Sequence, residues 1–254
     1  MNGTRPLWLL VAAALLGLWL YTDFGLLPTP YDLVLEPERE IPAPGSGTAF
    51  SVGDGVWMTA RHVVNHCDGI GLVKNRRLVG IVDRVVHHET ADLSLLFSHF
   101  SARPLPVAPP KQDPQRHERA FLIGYPAGAP GQFLAAQVEY REIERQGLPD
   151  GGFPVIVWAE QPAPPAGADY SGMSGGPVID QNGFAVGVLV GSDNALGRIV
   201  ATVPASLRDM TDSQAWNRGG APVPNPLSAD PADTGARLRE ENRVVEVYCH
   251  VERR

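Results

Sequence analysis

A chain of 254 residues can form one large domain or two small ones packed together. Its 44% hydrophobic and 19% charged content is that of a folded globular protein and argues against wholesale disorder. The net charge of −7 argues against nucleic acid as the main partner, because phosphate binding needs a basic face. With 27 glycines and 24 prolines, the composition favours many short strands joined by tight turns over long helices.

In chain order, the first feature is an uncharged run from Leu7 to Tyr21, continuing to Leu27 past the single charge of Asp23. It predicts a transmembrane signal-anchor helix over 6–27, near the length of about 20 residues that a span requires. Trp8 and the Trp19–Tyr21 stretch suit the two membrane interfaces. The competing reading is a cleaved secretory signal, which would leave the protein secreted. Against it, bulky Trp19, Leu20 and Tyr21 stand where a small-x-small cleavage site belongs. Arg5 before the span and Asp23 after it put the N-terminus in the cytoplasm and the bulk of the chain on the exported, periplasmic side. Residues 28–45, rich in proline and charge, read as a tether.

From Thr48 the pattern turns to short apolar runs. Thr48–Val52 and Val56–Thr59 flank Gly53-Asp54-Gly55 as a β-hairpin. Further strands are predicted at Leu78–Val82, Leu93–Phe97, Ala120–Ile123, Phe133–Val138, Val155–Trp158, Val178–Asp180, Ala185–Val190 and Ile199–Val203. The fold class is therefore all-β. The proline-rich segment Pro104–Pro114 divides a first set of strands, about 46–103, from a second, about 116–210, and a site between two such halves is a common way to build a cleft. Residues 211–236 read as a flexible linker and 237–254 as a charged tail. Within that tail Val245, Val247, Cys249 and Val251 alternate with Glu246, Tyr248 and His250 in a strand-like pattern whose return to the body would bring Cys249 to Cys67. Two cysteines in an exported chain permit one disulfide, with two lone buried thiols as the alternative.

Three stretches carry chemistry. In Gly172-Met173-Ser174-Gly175-Gly176, glycines clear space around a serine and allow the strained turn that aims N–H groups inward. A serine hydroxyl needs a base to take its proton and donors for the oxyanion that results. The Gly172 and Ser174 amides are the candidate oxyanion hole. His62, just past Val56–Thr59, is the candidate base. Asp92 leads directly into an apolar strand, where an unpaired charge is costly; an imidazole partner resolves that cost and fixes the tautomer a base needs.

The order His62, Asp92, Ser174, and the local sequences Thr59–Val64, Ala91–Leu96 and Gly172–Val178, resemble the chymotrypsin/trypsin-like clan of serine peptidases, in its compact bacterial, HtrA-type branch. Gly47–Phe50, Ile123–Gly128 and Gly187–Val190 support the resemblance more weakly; together it covers about 46–207. It implies two six-stranded antiparallel β-barrels with the triad in the cleft between them, a polypeptide substrate, an acyl-enzyme intermediate and no cofactor. It also places Ala168, Asp169, Val190 and Gly191 around the primary substrate pocket, where Ala168, at the position of the acid that selects Lys or Arg, implies small or apolar residues at the cleavage site, unless the adjacent Asp169 takes that acid's place. Two departures stand out. Met173 occupies the position at which the digestive branch carries an acid that pairs with a cut N-terminus, so that activation is not expected. The stretch after Arg208 is too short for the PDZ domain of HtrA-type enzymes.

Three other readings fit parts of the sequence. The Gly-x-Ser-x-Gly pattern also fits the elbow of α/β-hydrolases, but those place acid and histidine after the serine, and here only His250 follows it. His62 and His66 at helical spacing beside Cys67 suggest zinc, yet no second pair completes a site, and no metal is expected. A catalytically silent, membrane-tethered binding module on a peptidase fold is the alternative from a different class.

Overall fold

The computed structural model describes residues 46–127, 134–146, 152–161, 170–193, 196–213 and 231–251. The membrane helix expected over 6–27 and the tether over 28–45 lie outside the described residues. Among the described residues no helix is long and apolar enough to cross a membrane.

The first part of the domain holds β1 (Ser46–Gly53), β2 (Val56–Thr59), the one-turn helix α1 (Arg61–Val64), β3 (Gly69–Lys74), β4 (Arg77–His87) and β5 (Ser94–Ser98). After the proline-rich connector come β6 (Arg119–Gly124), β7 (Leu134–Gln146), β8 (Phe153–Glu160), β9 (Pro177–Asp180), β10 (Ala185–Asp193) and β11 (Arg198–Thr202). Helices α2 (Pro204–Ser213) and α3 (Pro231–Glu240) and a last strand, β12 (Val244–His250), complete it. The strands close into two six-stranded antiparallel barrels, ordered β1-β12-β3-β4-β5-β2 and β10-β11-β8-β7-β6-β9. Closure leaves neither sheet an open edge. Each barrel buries one tryptophan completely, Trp57 in the first and Trp158 in the second. Antiparallel barrels, with no helices alternating with their strands among the described residues, also dispose of the α/β-hydrolase reading.

The first barrel differs from the expectation of a unit within 46–103. Those residues supply five strands, and the sixth is β12, from the stretch expected as a charged tail. It inserts between β1 and β3, with Ser46 opposite Tyr248, Thr48 opposite Glu246 and Ile70 opposite Cys249. The reason is apolar burial: Val244, Val245 and Val247 are completely enclosed, filling the gap that β1 and β3 would otherwise leave. Cys67 and Cys249 are joined in a disulfide with their Cα atoms 5.4 Å apart, pinning β12 to the loop after α1.

The linker expected over 211–236 is likewise helical at both ends. Residues 211–213 finish α2, whose Leu207 and Met210 are buried one turn apart, and 231–236 open α3, which buries Leu238. Pro231 suits the first position of a helix, where its missing N–H costs nothing. Strand β3 was not expected, because Gly69 and Gly71 weaken its pattern, yet it is paired on both sides. Strands β4 and β7 run well past the expected segments through exposed charged residues, held by backbone pairing and by Val85 and Val86 of β4 and Tyr140 of β7, which pack against the cores.

Candidate active site

His62 stands in the single turn α1, immediately after β2 delivers the chain to the mouth of the first barrel. Asp92 lies in the turn before β5, the strand that pairs with β2, so the two residues meet across neighbouring strands. The Asp92 carboxylate uses both oxygens on one residue. Oδ1 accepts the His62 main-chain N–H at 2.9 Å, and Oδ2 lies 2.6 Å from His62 Nδ1. Burial pushes the Asp92 carboxyl up. The hydrogen bond and charge of the His62 imidazole, with the amides of His62 and Arg61, outweigh it and hold the group below its ordinary value. The carboxylate is thus kept ionised, and because it can only accept, Nδ1 carries the proton that faces it, which in the neutral imidazole leaves Nε2 as the acceptor.

The turn that presents Asp92 is shaped by a neighbour that sequence reasoning did not single out. His88 Nδ1 accepts the N–H groups of Thr90 at 3.1 Å and Ala91 at 3.0 Å, and its own amide donates to Leu93 O at 2.9 Å.

Ser174 belongs to the second barrel, in the loop leading into β9, and is half-buried. Tyr170–Met173 form a turn closed by the Met173 N–H on Tyr170 O at 3.0 Å, with Gly172 at φ +83° in its third position. That conformation calls for glycine, and a Cβ there would also lie 2.5 Å from Ala127 N. The Ser171 carbonyl accepts the Ala127 N–H at 2.7 Å. In a trans peptide C=O and N–H point oppositely, so the Gly172 N–H is turned away from Ala127. Among the described residues neither the Gly172 nor the Ser174 amide has an acceptor.

The serine loop is pressed against the first barrel. Gly175, at φ +88°, approaches so closely that a Cβ would sit 2.0 Å from Thr48 O and 3.1 Å from Ala60 N, two residues before His62. A Cβ on Gly47 would lie 2.4 Å from Val63 Cγ1 and 3.1 Å from Ser174 O, so the residue after His62 and the serine backbone flank one point. The structure therefore brings His62, Asp92 and the Ser174 loop together at the junction of the barrels. Ser174 Oγ has no hydrogen-bond partner among the described residues.

Of the expected pocket residues, Val190 and Gly191 lie on β10 directly after Leu189, whose carbonyl accepts the Gly175 N–H at 2.8 Å. Ala168 and Asp169 lie outside the described residues. Beside His62 and Asp92 opens a cavity of about 350 Å³, walled by Arg61, Asn65, Thr90 and Ala91 from the first barrel and by Gln146 and Phe153 from the second. Gln146 and Phe153 face each other at the end of the β7–β8 ladder. The stretch Gly147-Leu148-Pro149-Asp150-Gly151 between them marks a turn in the sequence, but nothing local says that the flanking Gln146 and Phe153 reach the cavity beside His62. The zinc reading loses its sulfur ligand, since Cys67 is in the disulfide.

Residues 45–188 match the family described as a trypsin-like peptidase domain. No curated protein matches the chain in sequence. Among solved structures, the active form of the Rv3671c protease from M. tuberculosis is similar at 21% identity and a TM-score of 0.55, over 76% of this chain and 92% of that one. The HtrA-type protease AlgW, solved with a decapeptide, is similar at 18% identity and a TM-score of 0.52, over 66% of this chain and 52% of that one. Human heparin binding protein follows at 16% identity and a TM-score of 0.50, over 71% and 96%. At these identities the likeness is one of fold.

Proposed function

The chain belongs to the trypsin-like peptidase family and is a serine endopeptidase, and from that premise we propose that Ser174 is its nucleophile, His62 its base and Asp92 the group that orients the base. The observation that carries this reading is the double engagement of His62 by Asp92, at the amide and at Nδ1. With Nδ1–H facing the carboxylate, Nε2 takes the Ser174 hydroxyl proton as Oγ attacks the scissile carbonyl carbon. The carbonyl oxygen becomes an oxyanion received by the Gly172 and Ser174 amides. His62 then gives its proton to the leaving amine, the acyl-enzyme forms, and a water activated by the same nitrogen releases the acid.

The substrate is a polypeptide on the exported side of the membrane, with the protease held there by the segment 6–27 or secreted if that segment is cleaved. Val190, Gly191, Ala168 and Asp169 receive the side chain preceding the scissile bond, a small or apolar one. The test uses the full-length protein and a fluorophosphonate probe. Covalent labelling that disappears in Ser174→Ala is the expected result; wild-type protein labelled no more than that control defeats the proposal.

A further inference from the structure

Thr48 is fully buried on β1, and each of its polar atoms is engaged at the barrel junction. Its N–H donates to Ser174 O at 2.8 Å, and its carbonyl accepts the Thr59 hydroxyl at 2.7 Å. Its own hydroxyl lies 3.0 Å from the Tyr125 amide and 3.2 Å from the Gly172 carbonyl. An amide only donates and a hydroxyl has one hydrogen, so Oγ1 accepts from Tyr125 and gives its proton to Gly172 O.

We infer that Thr48 is a positioning residue for the oxyanion hole, clamping the peptide that follows Gly172 so that the Gly172 N–H stays aimed at the developing charge. This rests on the reading of Ser174 as nucleophile. The Gly172–Met173 peptide is held at both ends, its carbonyl by Thr48 Oγ1 and its N–H by Tyr170 O. The preceding peptide is held at its carbonyl by the Ala127 N–H. Two consecutive planes are fixed, and the N–H between them is the donor without an acceptor among the described residues. Removing the hydroxyl leaves the Gly172 carbonyl without that donor and the Tyr125 amide without its acceptor, and a turn so released is free to rotate the donor out of line. The clamp also reaches the end of the chain, because the Tyr125 hydroxyl donates to Val244 O on β12 at 3.4 Å.

The experiment compares fluorophosphonate labelling of full-length wild type, Thr48→Val and Thr48→Ser, resolving the maximal rate, kinact, from the apparent affinity, KI. Removing one oxyanion donor outright costs on the order of 10²–10³ in rate, and a misaimed donor should cost about tenfold or more. Thr48→Val is expected to lose that much in kinact with KI unchanged, and Thr48→Ser to recover to within about threefold of wild type. A purely structural Thr48 predicts something else: a lower melting temperature with wild-type kinact in the folded fraction. That result overturns the inference, as does a serine variant as slow as the valine one. If Thr48→Val does not fold, Thr48→Ala on its folded fraction carries the same comparison. Failure of the catalytic reading is separable, because wild type itself would then not label, which removes the inference with it.

Discussion

Deleting β12 by ending the chain at Arg243 should unfold the first barrel and abolish labelling of Ser174, although neither His62 nor Asp92 is touched. Fully burying a valine contributes about 1.5–3 kcal/mol, so Val244, Val245 and Val247 together supply roughly 5–9 kcal/mol as an upper range. The deletion also removes the disulfide, which closes a loop of 182 residues. By chain entropy a crosslink of that span contributes on the order of 5 kcal/mol. The combined loss reaches the roughly 5–15 kcal/mol that a domain has in hand. It also bares β1 along Ser46–Phe50, the stretch that carries Thr48. Cys249→Ser removes only the crosslink, so that protein should stay folded with a lower urea midpoint and a slope at least as steep as wild type, because the unfolded chain is no longer held compact. Urea unfolding followed by circular dichroism, with fluorophosphonate labelling on the same samples, separates the cases. A chain ending at Arg243 that unfolds cooperatively at the wild-type midpoint and labels normally would refute the reasoning.

The remaining predictions concern two residues, Asp92 and Met173. In the folded protein the Asp92 pKa is lowered, so its contribution to stability is complete above its unfolded value of about 4 and is lost as pH falls through the lower folded value. The difference in unfolding free energy between wild type and Asp92→Asn should therefore be level above about pH 4 and shrink below it; a gap that widens toward acid contradicts the assignment. The same substitution should lower turnover by about four orders of magnitude, since the base then holds the wrong tautomer. Met173 is fully buried beside the serine, so Met173→Asp places an unpaired carboxylate in the core and should cost several kcal/mol. Met173→Leu should cost less than about 1.5 kcal/mol. Thermal unfolding checks both, and an aspartate variant as stable as wild type would mean that the position is wetter than its burial implies.

What was legible in the sequence was what neighbouring residues encode together. Ser174 among glycines, His62 after a strand and Asp92 at the start of one each carry their chemistry in a few adjacent residues, and the structure brings the three segments to one junction. The second barrel reads well for the same reason: its six strands are contiguous in the chain. The first barrel does not, because β12 is joined to β1 by pairing across nearly the whole domain, and an alternating pattern says which side chains share a face without naming the strand opposite. Thr48 and Tyr125 stand in segments that carried the family resemblance, yet their roles depend on hydrogen bonds to Gly172 and Val244, far along the chain. Glu246 shows the same limit. In the sequence it is one charge in a tail; in register it lies opposite Thr48, and burial pushes its carboxyl up. Strand β12 therefore lies beside Thr48, the residue proposed to clamp the Ser174 loop, so its loss is expected to disturb that loop as well as the first barrel.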